Sequence, residues 1–383
     1  MEKEQALKIL TDLIAIKSDN DHESKVADYL TDLFAGYPVK IERVTYAPGR
    51  DNLVVTMGDH GPLLGFSGHE DVVSSGDAAN WTYPPFQATI HDGKIYGRGT
   101  CDMKSGLAAM VVAMLDLLNS GKKLPGRLRL LASVGEETGE YGAAQLTKEG
   151  YADDLDGLII GESSNFNVRV THKGIIDYYV TSKGVCVHSS TPEAGKNAIM
   201  PLVAFAQKAQ KLMDSHQKKD PILGSLTHVI SQIQGGTQIN SVPDNAWLSG
   251  NIRTTPLYPN KQIMHELEGI IAELNQQGAE LSIRYSFPEV PLPSQAETSL
   301  AKFASQVVKD ELHRESNFVA GTGATDASEY IQADNDFPII ILGPAPEETA
   351  HQPNENIPVA DYLAGCELYQ KLAWRFWKEY KEK

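Results

Sequence analysis

The chain has 383 residues, 41% hydrophobic and 22% charged, so it can bury a core and is neither disordered nor a disulfide-stapled miniprotein. Lys and Arg total 34 against 50 Asp and Glu, a formal net charge of −16, which repels a phosphate backbone and argues against nucleic-acid binding. The three cysteines, Cys101, Cys186 and Cys366, make no CxxC pair, so neither a thiolate metal site nor a disulfide framework is indicated, and few thiols suit a cytoplasmic location. The start MEKEQALKILTDL has no signal-peptide pattern, and no run approaches the roughly 18 apolar residues that span a bilayer, so no membrane partner is expected.

In chain order, Leu7, Leu10, Leu13 and Ile14 recur at helical spacing, and a second helix is predicted over 23–34. Short continuous apolar runs at 52–57, 63–67, 128–134, 158–160 and 338–342 read as strands buried on both faces. Between them, 104–119 carries a helical stripe of Leu107, Met110, Val111, Met114, Leu115 and Leu118, expected to be core. Strands alternating with helices argue for an α/β sheet covered by helices. From Gly174 the rhythm becomes β-α-β-β-α-β (175–187, 197–213, 227–234, 247–254, 261–274, 280–286), a split βαβ unit with four strands. The proline-rich PEVPLPS, 288–294, marks an exit linker. The expected division is 1–175 and 289–383 as one α/β domain, with 176–288 inserted.

Five clusters carry metal-ligand side chains near strand ends or glycines. They are Gly68-His69-Glu70-Asp71, the stretch YGRGTCDMKSG with Asp102, Val134-Gly135-Glu136-Glu137, Gly161-Glu162, and His351-Gln352-Pro353-Asn354-Glu355. Singly, each reads as well as a turn, a helix cap at Asp102 or a surface glutamate pair. Jointly they offer imidazole nitrogen and carboxylate oxygen without thiolate, which fits zinc, or less selectively cobalt or manganese. Two metals sharing one carboxylate need about five protein ligands. Asp71 could hold the His69 tautomer through its carboxylate. One of two adjacent glutamates can ligate while the other acts as a base. Acidic residues elsewhere are expected on solvated surface, and Cys101 is expected to pack inward. No phosphate-loop lysine or complete dinucleotide fingerprint is present.

These motifs, with Trp81-x-x-x-Pro85-Phe86, HSSTPEAGKNAI and HQPNENI, resemble the co-catalytic zinc aminoacylase/carboxypeptidase superfamily along nearly the whole chain. The resemblance implies a mixed-sheet zinc-peptidase-like catalytic domain with an inserted α+β (βαββαβ, ferredoxin-like) lid and dimerisation domain. It implies two Zn2+ per subunit, with Co2+ or Mn2+ possible: His69 and Glu162 on one metal, Glu137 and His351 on the other, Asp102 bridging through a carboxylate that precedes a cis peptide. It makes Asp71 the partner of His69, Glu136 the general base, and His188 an oxyanion donor reaching the neighbouring subunit of a homodimer. Asn240, Arg253 and Thr325 match positions that contact substrate, with Thr322, Gly323 and Asp326 in the same loop as Thr325. The implied activity removes an N-acyl group from an amino acid. N-succinyl-LL-2,6-diaminopimelate is the leading substrate, N-acetylornithine or a dipeptide the alternative, and a silent metal- or ligand-binding module the reading outside enzymes.

Overall fold

The computed structural model describes residues 1–321 and 323–381. They divide into two compact units: Met1–Val170 with Ser294–Val319 and Thr325–Lys383, and Thr171–Pro293 with Ala320–Ala324. In chain order come helices α1 (Lys3–Ala15) and α2 (Ser24–Phe34), then strands β1 (Val39–Ala47), β2 (Arg50–Met57), β3 (Leu63–His69), β4 (Thr89–His91) and β5 (Lys94–Tyr96). Next are α3 (Lys104–Asn119), β6 (Arg127–Ser133), α4 (Tyr141–Lys148), β7 (Gly157–Ile160) and β8 (Val168–His172). The middle supplies β9 (Gly174–Lys183), α5 (Ile199–Ser215), β10 (Thr227–Gly235), β11 (Asn245–Thr254), α6 (Asn260–Gln276) and β12 (Leu281–Glu289). The rest is α7 (Ser299–Leu312), β13 (Phe318–Gly321), α8 (Ala327–Tyr330), β14 (Ile339–Ile341), β15 (Asn356–Pro358) and α9 (Val359–Lys381).

The large sheet is mixed, in the order β1-β2-β6-β3-β7-β14-β8-β13. Its centre, β6-β3-β7-β14, is parallel, and β1, β2 and β8 join antiparallel. Parallel neighbours require crossovers, and helices such as α3 and α4 supply them. Strands β3, β7 and β14 are buried along their whole length, which is why LLGFS, GLII and III read as short runs with no polar alternation. Helix α3 has the expected bounds, but it is buried nearly all round rather than along one stripe. Each large apolar side chain it buries contributes roughly 1.5–3 kcal/mol. At its start the buried Lys104 Nζ donates to the carbonyls of Leu13 and Ile16 at 2.8 and 2.7 Å. That satisfies acceptors at the C-terminal end of α1, where a cation is favoured. Gly106 packs so closely that a Cβ there would run into the carbonyl oxygen of Gly161, just past the end of β7. Sequence periodicity does not mark β1, a half-exposed edge strand that leads into β2 through a turn and shows little apolar signal.

The second unit is a four-stranded antiparallel sheet, β10-β11-β9-β12, with α5 and α6 in its core. Strand β9 alternates, burying Ile176, Tyr178 and Val180 against Leu202 and Phe205 of α5 and Ile263 and Leu267 of α6. The proline-rich stretch is not a free linker: Pro288 and Glu289 belong to β12, and the buried Leu292 donates its N–H to the His172 carbonyl at 3.2 Å. Non-proline residues between prolines can still pair. Among the described residues no helix is long and apolar enough to cross a membrane.

Candidate metal centre

The carboxyl ends of parallel strands are where the functional groups of an open α/β sheet gather. His69 closes β3, Glu136 follows β6 by three residues and Glu162 follows β7 by two. The chain leaves β6 through Gly135, whose φ of +71° is a left-handed turn that glycine makes without cost. A Cβ there would lie 2.6 Å from Arg50 Nη2. The turn thus rests on a buried guanidinium that Glu23 holds from Nε at 3.0 Å and Nη2 at 2.6 Å.

The Asp71 carboxylate accepts the main-chain N–H of Glu136 at 3.2 Å and of Glu137 at 3.1 Å. It therefore orients the glutamate pair. His69 Nδ1 lies 2.9 Å from the Asp71 main-chain carbonyl and 3.6 Å from the carboxylate, so the carbonyl, not the carboxylate, fixes the imidazole. The carbonyl can only accept, which keeps a proton on Nδ1 and leaves Nε2 as the nitrogen that faces the carboxylates. That Nε2 lies 3.0 Å from Asp102 Oδ1 and 3.2 Å from Glu162 Oε1. On the other side, His351 Nε2 lies 3.2 Å from Asp102 Oδ2 and 3.0 Å from Glu137 Oε1. Asp102 does not cap α3, whose cap residue is Met103. It faces an imidazole with each oxygen instead, and the peptide bond that follows it is cis.

The charges do not balance. Burial works against a charged His69, but hydrogen bonds to Asp102 and Glu162 outweigh it and raise its pKa well above the usual value. Asp102 and then Glu137 push His351 up to about 10. Asp102 is desolvated too, yet His351 and His69 hold its carboxyl far below the usual range. Burial, reinforced by neighbouring carboxylates, raises Glu136, Glu137 and Glu162. Two imidazoles thus face an excess of buried acids, which divalent cations would relieve. His69–Asp102–Glu162 and Asp102–Glu137–His351 each bring three donor atoms within 4.8 Å of one another, and they share Asp102. Glu136 belongs to neither, though His69, Glu136 and Glu137 form a third such group. Nitrogen and carboxylate oxygen donors fit zinc, cobalt or manganese. The nearby Cys101 thiol is buried and turned to the Pro346 carbonyl.

Several acids outside the five clusters are buried rather than solvated, a correction to the sequence expectation: Glu23, Glu140 and Asp326. Asp326 bonds Ser133 Oγ through Oδ2, its Oδ1 has no partner among the described residues, and burial raises its pKa to about 7. The sequence signal was its place in the loop after Thr325. Also unassigned from sequence were Arg98 and Glu355, which meet in a buried ion pair beside Asp102. Thr325 is buried, and its Oγ1 accepts the Ala327 N–H at 3.3 Å. Thr322 lies outside the described residues. His188, Asn240 and Arg253 belong to the second unit. There His188 is exposed, its Nδ1 accepts the Ser190 N–H at 3.1 Å, and the Asn240 carbonyl accepts the Ser189 N–H at 3.0 Å. Arg253 lies on β11, opposite Thr227 of β10 and Ile175 of β9.

Residues 65–375 match the family described as peptidase family M20/M25/M40. A Staphylococcus epidermidis protein named probable succinyl-diaminopimelate desuccinylase is 34% identical, covering 100% of this chain and 99% of its own. The aminopeptidase PepT of Bacillus cereus superposes with a TM-score of 0.76 at 22% identity, over 98% of both chains. A Bacillus subtilis protein described as a dinuclear metal-binding peptidase of the M20 family superposes with a TM-score of 0.72 at 15% identity, over 98% of both.

Proposed function

The chain belongs to peptidase family M20/M25/M40 and is a metal-dependent amide hydrolase, and from that premise we propose that it removes an N-acyl group from an amino acid, with N-succinyl-LL-2,6-diaminopimelate as substrate. The observation that carries the reading is Asp102, whose two oxygens face separate imidazoles at 3.0 and 3.2 Å while Glu136 stands outside both groups that share it. His69 and Glu162 would hold one cation, Glu137 and His351 the other, and Asp102 both. Two zinc ions, or cobalt or manganese, would supply Lewis acidity and bring the pKa of a water from 15.7 towards about 7. The succinyl group is supported by the name of the Staphylococcus relative.

The chain's own residues do the rest. Glu136 accepts a proton from the attacking water as its oxygen bonds to the amide carbon, and returns it to the leaving nitrogen as the C–N bond breaks. The Asp71 carboxylate keeps Glu136 and Glu137 in position through their N–H groups. His188, with Nδ1 occupied as an acceptor, has Nε2–H free to donate to the carbonyl oxygen as negative charge develops there. Arg253 would grip a substrate carboxylate in a two-pronged contact, and Asn240 and Thr325 would bind its polar backbone. His188 would act on the neighbouring subunit of a homodimer joined through the second unit. A cytoplasmic location fits the small number of thiols.

The test strips cations with a chelator, restores zinc, cobalt or manganese, and compares N-succinyl-LL-2,6-diaminopimelate, N-acetylornithine and a dipeptide panel. The chelated protein is expected to be inactive and the restored protein fastest on the succinyl substrate. A dipeptide preference would favour the peptidase reading, which the likeness to PepT supports. Two bound cations with no hydrolysis of any substrate would leave a binding module.

A further inference from the structure

Beside Asp102 lies a second buried charge arrangement that the reaction does not use. Arg98 is 2% exposed and Glu355 0%. Glu355 Oε1 accepts three main-chain N–H groups from one loop: Gly99 at 3.1 Å, Cys101 at 2.7 Å and Asp102 at 3.0 Å. Its Oε2 takes Arg98 Nη1. The same guanidinium donates to the carbonyls of His351 and Gln352, both at 3.4 Å, and of Ser74 at 3.3 Å, and lies 5.3 Å from the Trp81 ring. One ion pair therefore ties the loop that carries Asp102 to the loop that carries His351.

Two charges this deep are a poor source of stability, because desolvation offsets their attraction. What they fix here is geometry. His69 and Glu162 sit at or just past the ends of buried strands and need little further support. His351 has a left-handed φ of 62°, a half-exposed side chain and no strand beneath it. We propose that the Arg98–Glu355 pair is a positioning clamp that builds the Asp102–Glu137–His351 half of the centre before a cation arrives. The proposal rests on the metal reading above, and its test separates the two.

Glu355→Gln removes the charge on which the three N–H groups converge. In a cobalt titration of chelated protein, read by calorimetry and visible absorption, the wild type takes two equivalents. The variant is expected to take the first with near-normal affinity and the second about 10- to 100-fold more weakly, the usual effect of losing a partner that orients ligands. The cysteines give a readout that needs no metal. Cys186 is exposed, Cys101 is buried in the clamped loop and Cys366 is buried in α9. Alkylation mapped by mass spectrometry should modify only Cys186 in the folded wild type, and Cys186 with Cys101, but not Cys366, in the variant.

Unchanged second-site affinity with Cys101 still protected would overturn the clamp. Arg98→Met/Glu355→Gln removes both buried charges and guards against simple misfolding. If Cys101 and Cys366 become reactive together in both variants, the pair is a general stability element and the proposal is wrong. If the wild type takes no second cation, the metal reading is wrong, while the alkylation pattern still decides whether the pair holds the loop.

Discussion

Glu136 and Glu137 are adjacent in sequence and share a donor group with His69, but only Glu137 also joins Asp102 and His351. Glu136→Gln keeps shape and hydrogen-bonding atoms but cannot take a proton. Turnover should fall by about 10²–10⁴, the range of a positioned base, with two cations still bound by elemental analysis; retained activity would remove Glu136 from the role. A second titration lies away from the centre. Burial raises Glu329, in α8 just after Asp326, to about 7. A carboxyl with a raised folded-state pKa binds its proton more tightly folded than unfolded, so its stabilising contribution is complete below its ordinary value near 4.5 and is lost as pH rises through about 7. Glu329→Gln, always neutral, should melt like wild type at pH 4 and roughly 1–2 °C higher at pH 8. An equal shift at both pH values would rule out the titration.

At the level of elements, the contact of α3 with the residues after β7 sets where Glu162 stands. Gly106→Ala pushes a methyl group against the Gly161 carbonyl, and overpacking of this kind costs about 1–3 kcal/mol. Chemical denaturation should show that loss, and cation affinity should fall with it because Glu162 is the next residue. Unchanged stability would mean that the helix can slide. The elements legible in sequence were those whose own composition announces them: the apolar runs of β3, β7 and β14, and the largely apolar α3. The candidate ligand clusters at His69, Glu136-Glu137 and Glu162 were legible because each is a local motif where a strand ends. What escaped depends on partners far away in the chain. Arg98 and Glu355 are 257 residues apart, and nothing local distinguishes Glu23 or Glu140 from surface acids. The half-exposed β1 escaped because an edge strand has only weak apolar patterning.

At the level of the whole molecule, the proposed homodimer can be tested on β10. This strand ends its sheet and exposes Val229 and Ile233, each at 58%. An edge strand with apolar side chains invites pairing with another chain, and lysine discourages it. Val229→Lys/Ile233→Lys should sediment as a folded monomer with an unchanged circular dichroism spectrum; a persisting dimer would place the interface elsewhere. Mixing inactive His188→Ala and Glu136→Gln chains then tests the donor. If His188 serves its neighbour, each mixed dimer regains one complete site and activity returns; if it serves its own chain, the mixture stays inactive.

The three-stranded sheet β15-β5-β4 leads from anatomy to biosynthesis. β5 runs straight into the loop that bears Asp102, and β15 starts directly after Glu355, with Asn356 opposite Tyr96. The earlier of these strands must wait for a segment synthesised some 260 residues later before the pairing closes. At about 5–20 residues per second this is a delay of tens of seconds. During that interval a nascent chain carries His69, Asp102, Glu137 and Glu162 without His351, and premature termination before the last histidine would leave an acid-rich half-cage.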